Sequence, residues 1–318
     1  MITYEQLNYK LKLNKPMYKF YLPIILIQLL FTIQAYSQNI DSLRNKIEQI
    51  ILTKNAVVGV AIADHAGENT LTINGERRFP MQSVFKFYIG LAMLSEIDKG
   101  NFSLDQKIKI KKNELLPDLW SPIRTKHPKG ATLAIAEILE YTVSQSDNVG
   151  CDVLLRLLGG PLTVENYIKL NGIEDISIKI NEEVMQNNWD LQFDNWTTPQ
   201  AANQTLEMFF NNSHNLLSQN SYDFIWRIMR ATSTGENRLK GKLPKGTIVA
   251  HKTGWSGKNK ATGITAAVND IGIIFLPNGK HFFISVFVTD SKEELSTNEE
   301  IIADIAKAAW DYFNNATK

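Results

Sequence analysis

Ser83-Val84-Phe85-Lys86 sets a hydroxyl and an amine three residues apart, at the head of a run to Lys99 whose apolar spacing predicts a helix. A serine in a first helical turn lies in the positive field of the helix terminus, and a lysine three residues on shares its face. An amine held beside a hydroxyl can activate an otherwise unreactive serine. Ser146-Asp147-Asn148 places a hydroxyl, a carboxylate and an amide in succession between two helical patterns, where such residues build turns and caps. Lys252-Thr253-Gly254 closes a strand pattern, and its glycine leaves room for another group to approach the backbone. Singly, each has an ordinary reading: a capping serine beside a solvated lysine, a turn, a strand end. Each occurs once, in this order, 63 and then 106 residues apart.

The elements around them follow from periodicity. Helices are expected at 41–52, 83–99, 133–142, 148–158, 163–171, 199–212, 222–231 and 298–312. Strands are expected at 56–64, 70–74, 247–252, 263–275 and 281–289, with Asn269-Asp270 read as a turn or bulge. The order is strands, a helical middle, strands, helix. Short early strands can bury a face only against the late ones. This predicts an α+β fold: one antiparallel sheet built from both chain ends with flanking helices, plus an inserted all-helical lobe. The expected division is an α/β lobe from 38–80 and 232–318 and a helical lobe at 81–231. A cleft is expected at their junction.

Composition narrows the function. The chain has 318 residues, 44% apolar and 21% charged, with a net charge of +1, which argues against a nucleic-acid partner held by a basic face. Its one cysteine, Cys151, cannot form an internal disulfide or a multi-cysteine metal site, and in VGCDVLL it reads as core. The five histidines show no HxxxH or HxH spacing, so no metal is expected. Lys10, Lys12, Lys15 and Lys19 precede the apolar run Tyr21–Ile33, and Ala35-Tyr36-Ser37 follows, which is the order of a secretory signal peptide. The expected signal is 1–37, with Met17 as the expected start; thirteen residues are too few to span a bilayer. Its removal leaves 30 basic and 32 acidic side chains, a net charge of −2.

The ordered set SxxK, SDN and KTG resembles that of the class A serine β-lactamases and penicillin-binding proteins, and class A is the nearer match over nearly the whole mature chain. The resemblance implies no cofactor and a small β-lactam as partner, without stable membrane attachment after signal cleavage. A periplasmic monomer is the expectation. It implies that Ser83 is the nucleophile, that Lys86 or Glu182 takes its proton, and that Ser146 passes a proton to the leaving nitrogen. The oxyanion would meet the backbone N–H groups of Ser83 and Trp255. Asn148 would hold the substrate's side-chain amide and Lys86. Lys252, Thr253, Ser256 and Arg238 would receive the carboxylate, Gly254 would admit the substrate backbone, and Trp120 would stand at the rim.

Glu182, 36 residues after Ser146 and 13 before Asn195, matches the deacylating base of the family, with Glu183 as the fallback. Gln186 stands where many members carry an asparagine that helps hold the water. Ile180 and Asn195 replace a common Arg–Asp pair at the neck of that loop. These departures resemble the extended-spectrum PER- and VEB-type branch, which implies turnover of penicillins and cephalosporins, oxyimino ones included. The alternatives are a D-alanyl-D-alanine carboxypeptidase or transpeptidase, and a β-lactam sensor that stays acylated.

Overall fold

The computed structural model describes residues 40–315; the predicted signal segment lies outside them. The chain divides into a short unit, Met1–Arg44, and a large one, Asn45–Lys318. Of the first, residues 40–44 are described, and they begin helix α1 over 40–51. All that follows concerns the large unit.

Five strands form one antiparallel sheet in the order β2-β1-β10-β9-β8. They are β1 (Val57–Asp64), β2 (Thr70–Ile73), β8 (Val249–Trp255), β9 (Val268–Phe275) and β10 (His281–Thr289). β1 pairs with β10 along its whole length, from Val57↔Thr289 to Asp64↔Phe282, so the two ends of the chain join at the centre of the sheet. Both central strands are buried nearly throughout, because helices cover the sheet. α8 (Pro199–Asn211) packs on β1 and β10, α10 (Leu295–Asn315) on β9 and β10, and α9 (Gln219–Arg230) on β8.

Two expectations need correction. Asn269 and Asp270 are not a turn: they sit inside β9, paired with Gly254 and Thr253. Inside the core the Asn269 amide N–H group donates to Pro80 O and Met81 O, and the Asp270 carboxylate pairs with His251 Nδ1, while Asn269 Oδ1 is left without a partner among the described residues. Nor is the middle of the chain purely helical. β4 (Lys107–Ile110) and β5 (Ala131–Ala134) form a two-stranded sheet, and β3 (Phe79–Pro80), β7 (Trp196–Thr197) and β6 (Ile176–Ser177) form a small third one. The alternating exposure of Lys-Ile-Lys-Ile in β4 is the period of a strand with one wet face.

α2 (Phe85–Asp98) is the buried axis of the helical part, with every residue from Phe85 to Ser95 out of solvent. A helix apolar on all sides belongs in a core. Around it pack α4 (Ile135–Ser144), α5 (Asn148–Leu158), α6 (Pro161–Leu170) and α9. α3 (Pro122–Lys126) packs on α5. Cys151 is fully buried on α5, and burial pushes its thiol pKa well up.

α7 (Glu182–Asn187) is a short helix resting on α5. Asn181 caps it by accepting the Val184 N–H at 3.0 Å. Asp152 of α5 accepts the N–H groups of Glu182 (2.8 Å) and Glu183 (3.0 Å) on separate oxygens. Burial pushes the Asp152 carboxyl up to about 7; the two N–H bonds oppose the rise and the Glu182 carboxylate adds to it. The unfolded value is about 3.9. The native state therefore holds a proton that the unfolded state has lost between roughly pH 4 and 7, so this group's contribution to stability falls as pH rises through that window. A shift of about three units is at most about 4 kcal/mol. Asp152→Asn is expected to narrow the difference in Tm between pH 5 and pH 8 by several degrees; an unchanged difference would count against this account.

Candidate active site

The turn that presents Ser83 is a 3-10 segment, Gln82–Val84, running directly into α2. Gln82 has φ of 48°, a left-handed conformation that L side chains adopt at a cost. Contacts with distant segments hold it there. Asn269 Nδ2 binds Pro80 O (2.8 Å) and Met81 O (3.1 Å), and Gln82 Nε2 donates to Gln192 Oε1 (2.6 Å). A Cβ on Gly254 would lie 2.5 Å from Met81 O, so the glycine of Lys252-Thr253-Gly254 is required for this turn to lie against β8. Lys86 is fully buried, which removes the reading of a capping serine beside a solvated lysine. Its ammonium donates to Ser83 Oγ (2.6 Å), to Asn148 Oδ1 (2.8 Å) and to Glu182 Oε1.

Ser146 also has a positive φ, 59°. The buried Asp147 beside it caps α5 through the Gly150 N–H (2.8 Å) and accepts from the Ile123 N–H (2.6 Å) and the Ser121 hydroxyl (2.8 Å). One carboxylate thus fixes both the turn and the start of α3. Burial pushes the Asp147 pKa up, and these hydrogen bonds oppose it. Asn148 N–H donates to Trp120 O (3.0 Å), and the Trp120 indole N–H to Gln145 O (3.2 Å), so a side chain 63% exposed still has a fixed orientation.

β8 is the edge strand of the sheet. The N–H of Ser256 bonds to Ala267 O on the β9 side. Directions alternate along a strand, so the Trp255 N–H points away from β9 and is open to a ligand. Lys252 Nζ is buried and hydrogen-bonds Ser146 Oγ (3.0 Å) and Thr253 O (2.9 Å). Burial, reinforced by the Lys86 charge, pushes the Lys252 pKa well below that of an ordinary lysine; Asp270 and Glu182 oppose. The Thr253 and Thr234 hydroxyls are 2.6 Å apart. Arg238 is buried, with Nη1 donating to Gly254 O (3.0 Å) and Asn269 O (3.1 Å) and Nε to Glu299 (3.2 Å). Its fork is thus engaged in holding the end of β8. The Ser256 hydroxyl donates to Gly257 O (2.7 Å).

Of the two candidate bases, Glu182 is buried and faces the cleft, whereas Glu183 is exposed. Asn195 closes the neck of the loop. Its Oδ1 accepts the Lys179 and Ile180 N–H groups (2.8 and 3.1 Å), and its Nδ2 donates to Ile180 O (2.9 Å). A neutral amide thereby replaces an ion pair, which explains why Ile180 can stand opposite it.

These groups converge on one cleft of about 610 Å³. Ser83, Ser146, Asn148, Glu182, Arg238, Thr253, Gly254, Trp255, Ser256, Trp120 and Gln186 all line it. Met185, Trp189, Gln192 and Thr234 line it too and were not foreseen; nothing in their local sequence marks them. Asp152, which holds the Glu182 segment, was also missed, although its position four residues after Asn148 on the same helix was a usable signal. Among the described residues, no group of three or more His, Cys, Asp or Glu could hold a metal ion. A hydroxyl bonded to a buried amine, a second hydroxyl bonded to a second buried amine, an outward N–H and a carboxylate suit acyl transfer followed by hydrolysis.

The comparisons agree with this chemistry. The model of the Beta-lactamase enzyme family matches residues 42–313. The chain is 56% identical to "Beta-lactamase VEB-1" of Pseudomonas aeruginosa, over 92% of this chain and 97% of that protein. It is 40% identical to "Extended-spectrum beta-lactamase PER-1" of the same organism, over 85% and 87% of the two. The crystal structure of TLA-1 extended-spectrum β-lactamase superposes with a TM-score of 0.83 at 52% identity, covering 86% of this chain and 99% of that one. For TLA-3 the TM-score is 0.84 at 50% identity, with the same coverage. The chain belongs to the class A β-lactamase family.

Proposed function

We propose that the protein hydrolyses β-lactam antibiotics, penicillins and cephalosporins including oxyimino ones, through an acyl-enzyme on Ser83, and so confers resistance to them. The observation that carries this reading is the buried Lys86 ammonium, bonded at once to Ser83 Oγ and Glu182 Oε1. It links the attacking hydroxyl to the carboxylate that must later activate water.

Ser83 Oγ attacks the lactam carbonyl. Its proton leaves to Lys86, once the Lys86 ammonium has passed one of its own protons to Glu182, or to Glu182 by way of water. The Ser83 and Trp255 N–H groups receive the oxyanion, where fixed donors lower the barrier without having to reorganise. The lactam C–N bond breaks, and Ser146, bonded to Lys252, delivers a proton to the nitrogen. Burial depresses the Lys252 pKa, which makes its ammonium a readier proton donor to Ser146. Lys252 and Thr253 receive the substrate carboxylate, with Ser256 at the edge of that site, and Arg238 adds positive charge from behind the strand. Asn148 and the edge of β8 hold the side-chain amide, and Trp120 shields it. With the acylation proton returned to the Ser146–Lys252 pair, Glu182 draws a proton from water, which attacks the ester carbonyl; the C–Oγ bond breaks and the proton passes back through Lys86 to Ser83 Oγ, while Gln186 lines the same cleft. The expected setting is a periplasmic monomer, released after cleavage of the predicted signal. Among the described residues no helix is long and apolar enough to cross a membrane.

A chromogenic cephalosporin distinguishes hydrolase from trap. Turnover that continues through many equivalents is the expected result; a stoichiometric burst that stops would indicate a penicillin-binding enzyme or a sensor. Ser83→Ala should form no covalent adduct by mass spectrometry and lose about 10³-fold or more in kcat/KM. Glu182→Gln should still acylate but accumulate the adduct, with steady-state turnover down about 10²- to 10⁴-fold. Sustained turnover by the glutamine variant would assign the base to another group.

A further inference from the structure

Asp118 lines the cleft two residues before Trp120, and the proposed reaction gives it no task. It is exposed, and its carboxylate has no ion-pair or hydrogen-bond partner among the described residues. Its place is set by its neighbours. Leu119, next in the chain, is buried, and Trp120 is tied by its carbonyl to the Asn148 N–H and by its indole to Gln145 O. Asn148 is the residue to which the proposed function brings the amide of the substrate's acyl side chain. With the amide held there, the next atom of that side chain, the carbon α to the amide carbonyl, would face the stretch of the cleft that Trp120 and Asp118 line. The basic side chains of the cleft lie elsewhere: Lys86 and Lys252 are buried at the reacting centre, and Arg238 is buried behind the end of β8. The mouth thus carries an unpaired negative charge beside an exposed indole. An indole face attracts an ammonium group, and a nearby carboxylate attracts it further and repels an anion.

We propose that Asp118, with the Trp120 ring, selects β-lactams by the charge on the α-carbon of their acyl side chain, favouring an α-ammonium group over a neutral one and disfavouring an α-carboxylate. This rests on the function proposed above, because Asn148 must hold the side-chain amide.

Three penicillins isolate the charge, since they share nucleus and phenyl ring: benzylpenicillin is neutral at the α-carbon, ampicillin carries an amine there and carbenicillin a carboxylate. The readout is kcat/KM for ampicillin and for carbenicillin, each divided by the value for benzylpenicillin, in the purified protein at low salt. Asp118→Asn is expected to lower the ampicillin ratio and raise the carbenicillin ratio, each by about three- to tenfold. Asp118→Lys should move both further in the same directions. For the unmodified protein both ratios should move toward the Asp118→Asn values as salt rises to about 1 M. Ratios within twofold of the unmodified protein's in both variants overturn the proposal. So does a parallel change in both ratios, which would indicate a shape effect. Should turnover be absent, the rates of acyl-adduct formation with the same three compounds give the same ratios. In that case charge selection can hold while the hydrolytic reading fails. No adduct with any of the three overturns both.

Discussion

The ammonium of Lys86 has no access to water, and a buried charge of this kind is tolerated only when surrounding groups replace its hydration. Three elements far apart in sequence supply those groups: the serine at the head of its own helix, the amide at the start of α5 and the carboxylate at the start of α7. Breaking a buried pair by removing one partner typically costs about 3–5 kcal/mol, so the lysine constrains where all three elements can lie. Much of the architecture follows from that constraint. α2 must be apolar on all sides to carry the lysine into the core. α5 must begin at the cleft, and Asp147 caps it there. α7 must be held by its N-terminus, and Asp152 holds it.

The same region stores backbone strain. Gln82 and Ser146, one before the nucleophile and the other bonded to Lys252, both adopt φ values near those glycine favours. Such conformations cost on the order of 1–3 kcal/mol each and persist when the surroundings over-determine them. Here the surroundings are long-range hydrogen bonds: Asn269 to the chain before Gln82, Gln192 to the Gln82 amide, and Asp147 to three donors from two segments. The orientation of both hydroxyls is therefore set by the sheet and the loop, and only in part by the residues next to them.

This division explains what could be read from the sequence. Ser83 and Lys86 were legible because one helical turn brings them together. β1 and β10 were legible because their apolar runs are long and bounded by turn residues, and β10 has the expected limits of 281 and 289. Asn269-Asp270 was misread because its residue types favour turns, whereas its partners lie in segments before Ser83 and in β8, beyond any local window. The β4 and β5 strands were missed because four residues give too short a period against helical neighbours. Arg238 was singled out by its spacing from Lys252, but its ties to the main-chain oxygens of Gly254 and Asn269 follow from tertiary approach and have no local sign. Gln192 and Asp152 belong to the same class: each acts on a residue that folding brings near.

The neck of the loop carrying Glu182 is closed by an amide and not by opposite charges. A clasp of this kind has no formal charge for dissolved ions to screen and no proton to gain or lose across the ordinary pH range. The Asn195 clasp is indifferent to salinity and acidity, so the anchorage of the loop is buffered against its environment, and environmental sensitivity is left to the ionisable groups at Asp152 and within the cleft.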